Sequence, residues 1–139
     1  MGIKQYLKQA FTIDRLIKAK KIRIQYLRDQ LEMLNSLNMN TKVQANGSKD
    51  RLGDTVAMLV DTIADVEKDI AKLVQLQRDM SDLIANVERG DLRLVLYERY
   101  INFKKWEDIA VDNNYSLDNI FKLHGRALQA IEKVYSKLQ

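Results

Sequence analysis

Cysteine and proline are absent from this chain of 139 residues, glycine occurs five times, and histidine and tryptophan occur once each. Each shortage excludes something. Without cysteine there is neither a disulfide nor a thiolate metal site, a composition suited to a reducing cytoplasm. Without proline, and with glycine only at Gly2, Gly47, Gly53, Gly90 and Gly125, little interrupts helix between those points. β-Branched and aromatic residues do not cluster into alternating runs, so strands are not expected. No apolar run approaches the roughly 18 residues needed to span a bilayer. The apolar residues from Ile3 to Phe11 are broken by Lys4, Gln5, Lys8 and Gln9, unlike a secretory signal. The expectation is an all-α, soluble, cytoplasmic protein with no membrane partner.

Charge is present but unevenly placed. The net charge is +4. Residues 1–28 hold eight basic groups against Asp14 alone, whereas residues 29–90 hold seven basic and eleven acidic groups. A basic segment beside an acidic one suits two helices paired antiparallel. It also suits contact of Lys18, Lys20, Lys21 and Arg23 with nucleic-acid phosphate, and different faces of one helix can serve both.

The apolar spacing supports the pairing. Ile3, Leu7, Ala10, Ile13, Ile17, Ile24, Leu27, Leu31 and Leu34 mark one long helix over about 3–37, with Lys20 interrupting its seam. An Asn-, Ser-, Thr- and Gly-rich loop over 38–51 follows, ending on Asp50 as a candidate cap. From Leu52 to Val87, through Val56, Leu59, Ile63, Val66, Ile70, Leu73, Gln77, Met80 and Ile84, steps of four and three alternate. That is a heptad repeat of about five heptads, and it needs a partner helix. The first helix supplies one by folding back as a hairpin, and a second copy of the chain can supply another, giving a homodimer. Lys20 and Gln77 read as residues that fix register.

Gly90 is a helix stop and Asp91 a candidate cap for the next start. The division expected is a hairpin over residues 1–89 and a second domain over 90–139 with helices at 92–101, 106–113 and 116–137. Leu92, Val95, Leu96 and Tyr100 form the buried side of the first of these, with Phe103 plugging its end.

Within the second domain, Trp106-Glu107-Asp108-Ile109-Ala110 followed by Asn113-Asn114-Tyr115-Ser116 has the spacing of a helix-turn-helix. Ala110 beside Ile109 lets two helices cross closely. Asn114 is the residue best able, after glycine, to adopt the left-handed conformation of the turn. Ser116 stands where an N-cap hydroxyl accepts the free N–H groups of the next helix. Ile120, Leu123, Ala127, Ile131 and Val134 then give that helix one buried stripe.

Residues 91–138 resemble region 4 of bacterial sigma factors, the module that reads the promoter's −35 element. The likeness rests on Lys105-Trp106-Glu107-Asp108-Ile109-Ala110, on Ser116 through Leu128, and on Arg99-Tyr100 ahead of them. The whole chain is more similar to a group of phage and prophage proteins with a long helical hairpin before a sigma-like C-terminus. That similarity is carried by Asp54-Thr55-Val56-Ala57 and Leu123-His124-Gly125-Arg126-Ala127-Leu128. It implies transcription control through double-stranded DNA, at the nucleoid of a bacterial host, with RNA polymerase as a further partner. No segment resembles sigma region 2. Where sigma region 4 carries Arg, Glu and Gln, this chain has Leu117, Asp118, Asn119, Phe121 and Lys122.

A helix in the major groove reads bases near its N-terminus and holds phosphate with basic groups farther along. The candidate DNA-binding residues are therefore Ser116, Asp118, Asn119, Lys122 and Arg126, with Lys104 and Lys105 ahead of the scaffold helix. Asn119 suits adenine and Lys122 guanine, while Arg126, Lys104 and Lys105 suit phosphate. Leu117 and Phe121 suit thymine methyls or a protein partner. His124, the only histidine, has no metal-ligand spacing around it, and Trp106 and the tyrosines sit at core positions. There is no Gly-rich phosphate loop or nucleophile motif, so neither a cofactor nor enzymatic activity is expected. Two other roles fit the same architecture: the small subunit of a phage terminase, and an adaptor whose Leu117 and Phe121 bind protein.

Overall fold

A computed structural model describes residues 2–40 and 46–138, with side chains over 2–37 and 50–138. The described residues form five helices and no strand: α1 (Ile3–Asn40), α2 (Asn46–Ala85), α3 (Gly90–Tyr100), α4 (Trp106–Asp112) and α5 (Leu117–Leu138). The protein is all-α, and α1 and α2 pair as an antiparallel hairpin. Lys20 of α1 meets Asp65 and Asp69 of α2 at 3.3 and 2.6 Å, while Ile3, Leu7 and Ala10 share a core with Met80, Leu83 and Ile84.

The loop expected over 38–51 is shorter than that. α1 continues to Asn40 and α2 begins at Asn46, so Asp50 lies inside a helix rather than capping one; the rest of that loop, 41–45, lies outside the described residues. Asn, Ser and Gly are weak helix formers, but without proline none of them removes a hydrogen bond.

The chain forms two compact units, Met1–Ile13 with Lys72–Gln139, and Asp14–Ala71. Packing thus groups the residues differently from a boundary at residue 90. In the first unit, Leu7, Met80, Leu96, Ile109, Ile120 and Ile131 are fully buried together. In the second, only two helices face each other, and a helix pair encloses little. Ile17, Leu27 and Val66 are buried, whereas Ile24, Leu31 and Leu59 remain partly open.

Most of the expected α2 seam turns inward, from Leu52, Leu59, Ile63 and Val66 to Met80, Ile84 and Val87, and two positions depart from it. Val56 and Ile70 are 43% and 40% exposed, and Thr55, Thr62 and Asp69 are half-buried instead. The cause is Lys20. Its ammonium on the α1 seam requires an anion, and turning Asp69 inward supplies one, which raises the Lys20 pKa through that hydrogen bond first. Thr55 and Thr62 follow Asp69 inward at heptad spacing. Their hydroxyls donate to the carbonyls of Arg51 and Met58, both at 2.7 Å, so they leave no unpaired donor at the seam. Gln77 serves the first unit, where its amide donates to the Ile101 carbonyl at 2.9 Å beyond the end of α3.

Position 90 differs from expectation too. Gly90 has no positive φ and starts α3, whose N-cap is Arg89; Asp91 lies in the first turn. The chain turns there on Arg93, whose guanidinium donates to the carbonyls of Val87 and Glu88 at 2.7 and 2.9 Å. Asp91 instead accepts from Arg89 at 2.7 Å, and that bond holds its carboxyl below the usual range.

Burial ranks the side chains for mutation. Met80→Ala, at a position with no exposure, should lower unfolding free energy by about 2–5 kcal/mol, whereas Ile22→Ala, at 72% exposure on α1, should stay within about 0.5 kcal/mol. Urea midpoints for the two variants check this ranking, and comparable losses would refute it.

Candidate nucleic-acid interface

The turn between α4 and α5 is held by its own backbone. Ile109 and Ala110 are buried, and after Asp112 the chain closes in a Schellman motif. The Tyr115 N–H donates to the Ala110 carbonyl at 2.9 Å, the Asn114 N–H donates to the Val111 carbonyl at 3.3 Å, and Asn114 is left-handed at φ 59°. Asn113 adds two side-chain bonds from its amide, to the Ile109 carbonyl at 2.8 Å and to Glu98 at 3.2 Å. Ser116 Oγ then accepts from the Asn119 N–H at 3.1 Å, the N-cap bond that starts α5.

α5 turns its apolar stripe inward. Ile120, Leu123, Ala127 and Ile131 are buried, and Val134 is half-buried against the same core. The opposite side carries Asn119, Lys122 and Arg126, spaced three and four residues apart and all exposed, with Asp118 exposed in the first turn. Ser116 is exposed as well, but its oxygen is occupied by the cap.

The two lysines before α4 part company. Lys105 is exposed at the N-cap position. Lys104 is half-buried and paired, with its ammonium 2.6 Å from Asp112 and 3.2 Å from Glu98. The bond to Asp112 and then that to Glu98 raise its pKa. Lys104 thus bridges α3 and α4 and is not a free charge for phosphate. The adjacent exposed charges of α4 are acidic, from Glu107, Asp108 and Asp112. The cationic part of the exposed face is therefore small: Lys122, Arg126 and Lys105.

Beneath this face lies an aromatic cluster around Trp106, which sequence spacing marks only as core. The Arg99 guanidinium stands over the rings of Trp106 and Phe11, at 4.4 and 4.6 Å from their centroids, and donates to the Lys104 carbonyl at 2.8 Å. The sequence signal for Arg99 is the Arg-Tyr pair, but nothing local marks Phe11, nearly ninety positions away, as its partner. Trp106 packs edge-on against His124 and Phe121, at centroid distances of 4.4 and 5.6 Å. Phe103, expected as a plug, is half-buried against the core and takes φ 58°. Leu117 and Phe121 keep 38% and 46% of their surface exposed.

His124 Nε2 and the Tyr100 hydroxyl share a hydrogen bond at 2.7 Å. Burial pushes the Tyr100 pKa up to about 12. Burial first, then the charges of Arg99 and Lys4, bring the His124 pKa down to about 4 from 6.5. The pair is thus a neutral tyrosine bonded to a neutral imidazole. Among the described residues no three of His, Asp and Glu converge to hold a metal ion.

A family model matches residues 33–132, described as a protein of unknown function, DUF1492. No curated protein and no solved structure matches the chain.

Two outcomes test this geometry. With Asn114 left-handed, Asn114→Gly should be neutral or mildly stabilising and Asn114→Val should cost roughly 1 kcal/mol or more, read from thermal midpoints. Equal midpoints would place the turn elsewhere. For His124, the folded pKa lies below the unfolded one, so the unfolded chain binds more protons between pH 6.5 and about 4. The stability from this site is complete above that window and declines as the pH falls through it. His124→Gln should flatten the fall of the thermal midpoint across the window; an unchanged slope would assign the acid sensitivity to carboxylates.

Proposed function

Because the chain belongs to the DUF1492 family, we propose its role from its own residues: a DNA-binding regulator of transcription that reads double-stranded DNA with α5. The observation that carries this reading is the capped turn from Asn113 to Ser116, which starts a helix whose outward side presents Asn119, Lys122 and Arg126. In the major groove, Asn119 pairs with adenine and Lys122 with guanine, while Arg126 and Lys105 hold phosphate. Asp118 and Ser116 flank them at the start of the helix. The reading is that of a non-catalytic protein of the bacterial cytoplasm, working at the nucleoid, with RNA polymerase as a second contact. The resemblance of residues 91–138 to sigma region 4 supports it. That no helix of the described residues is long and apolar enough to cross a membrane is compatible with it.

A second reading has its own support. Leu117 and Phe121 are exposed at the start of α5, and Val111 and Tyr115, on the scaffold helix and in the turn, are 74% and 40% exposed. An apolar surface of this kind suits a protein partner, as an adaptor would use it.

Replacing both Lys122 and Arg126 with Ala tests the first reading against the second. Neither lies on the buried stripe, so the fold should survive. Affinity for DNA should fall by about 1–3 kcal/mol, and the slope of log affinity against log salt should flatten by about one unit for each phosphate no longer neutralised. Asn119→Ala should relax sequence preference with little change of slope, because an amide releases no counterions. An unchanged affinity and slope in the double variant would favour the adaptor.

A further inference from the structure

We propose that the outer face of α2 in the unit Asp14–Ala71 is the interface for a second copy of the chain, docked antiparallel about a two-fold axis near Ala64. Turning Thr62 and Asp69 toward α1 leaves a different side of α2 outward. That side carries Val56, Val60 and Ile70, at 43%, 58% and 40% exposure, flanked by the exposed residues Ala57, Ala64 and Ala71. Heptad order makes these positions contiguous on the helix surface, and Glu67 is the charged residue among them. An apolar face of this kind, broken by one charge, is unusual on a free surface. The alanines, one heptad apart, permit a second helix to approach closely.

The outer side of α1 differs. Ile22 and Met33 are exposed there too, but Arg15 and Asp29 interrupt them, and Arg23 covers Tyr26 with its guanidinium 5.2 Å from the ring centroid.

Charge selects both the occupant and its direction. Asp61 and Lys68 lie one heptad apart along one edge of the apolar face, both exposed and without an ion pair among the described residues. An antiparallel copy sets each Asp61 against the partner copy's Lys68, twice by symmetry. A parallel copy sets the Asp61 edge against the opposite edge, where Glu67 stands and no cation faces Asp61. The face is therefore complementary to itself in one orientation, the requirement for an isologous dimer. This interface is independent of DNA binding by α5 and is tested without DNA.

Sedimentation equilibrium at tens of micromolar should give twice the 16.2 kDa of one chain, and Val60→Glu should return the mass to one chain with its helical content retained. Asp61→Lys and Lys68→Asp should each weaken association several-fold, and the two together should restore it. Because the chain contains no cysteine, single introduced thiols report direction. Ala64→Cys should cross-link to itself. Ala57→Cys should not, yet should cross-link when mixed with Ala71→Cys. A mass of one chain at every concentration would overturn the proposal, as would self-cross-linking of Ala57→Cys.

Discussion

What α5 offers to a partner is set by the four side chains it buries. Ile120, Leu123, Ala127 and Ile131 share a core with the start of α1, the end of α2, and α3 and α4. Rotating α5 would bring Lys122 or Arg126 into that core, a desolvation cost of several kcal/mol per charge. The outward placement of Asn119, Lys122 and Arg126 is therefore a consequence of apolar burial on the other side. The Schellman turn and the Ser116 cap act on the same constraint, fixing where α5 begins and hence which residues occupy its first turns. The Arg99 stack and the Tyr100–His124 bond support Trp106 from below, and among the described residues no fully buried side-chain nitrogen or oxygen lacks a hydrogen-bond partner.

Charge is used differently in different parts of the chain. Lys20 and Lys104 are structural: each is tied to two carboxylates, and each orients a helix, α2 in one case and α4 in the other. Lys18 pairs with Asp14 one turn away at 2.9 Å. The basic character of residues 1–28 is thus partly absorbed within the protein. On the proposed DNA face Lys122, Arg126 and Lys105 remain, beside the acidic residues of α4. So few cations imply a shallow salt dependence, on the order of two or three counterions released.

Much of the fold is legible in the sequence because periodicity reports burial directly. The buried residues of α3 and α5, the left-handed Asn114 and the Ser116 cap all follow from local spacing and local chemistry. Two positions of the α2 seam do not follow. Val56 and Ile70 look like core residues, and the pairing of Asp69 with Lys20, some fifty positions away, has no local signal in the sequence. Lys104 looks free in the sequence for a similar reason: its acceptors Glu98 and Asp112 come together only when α3 and α4 pack. The candidate site is legible where residues sit on one helix, and obscured where a long-range ion pair decides whether a cation is free.

The central claim is that the outward side of α5 contacts the DNA duplex. Titration of the ¹⁵N-labelled protein with a short duplex, followed by NMR, addresses it most directly. The account predicts that amide shifts cluster from Ser116 to Arg126 and around Lys105, and that they shrink as salt is raised. Shifts absent from α5 at low salt, or confined to residues 18–23 of the basic arm, would contradict it.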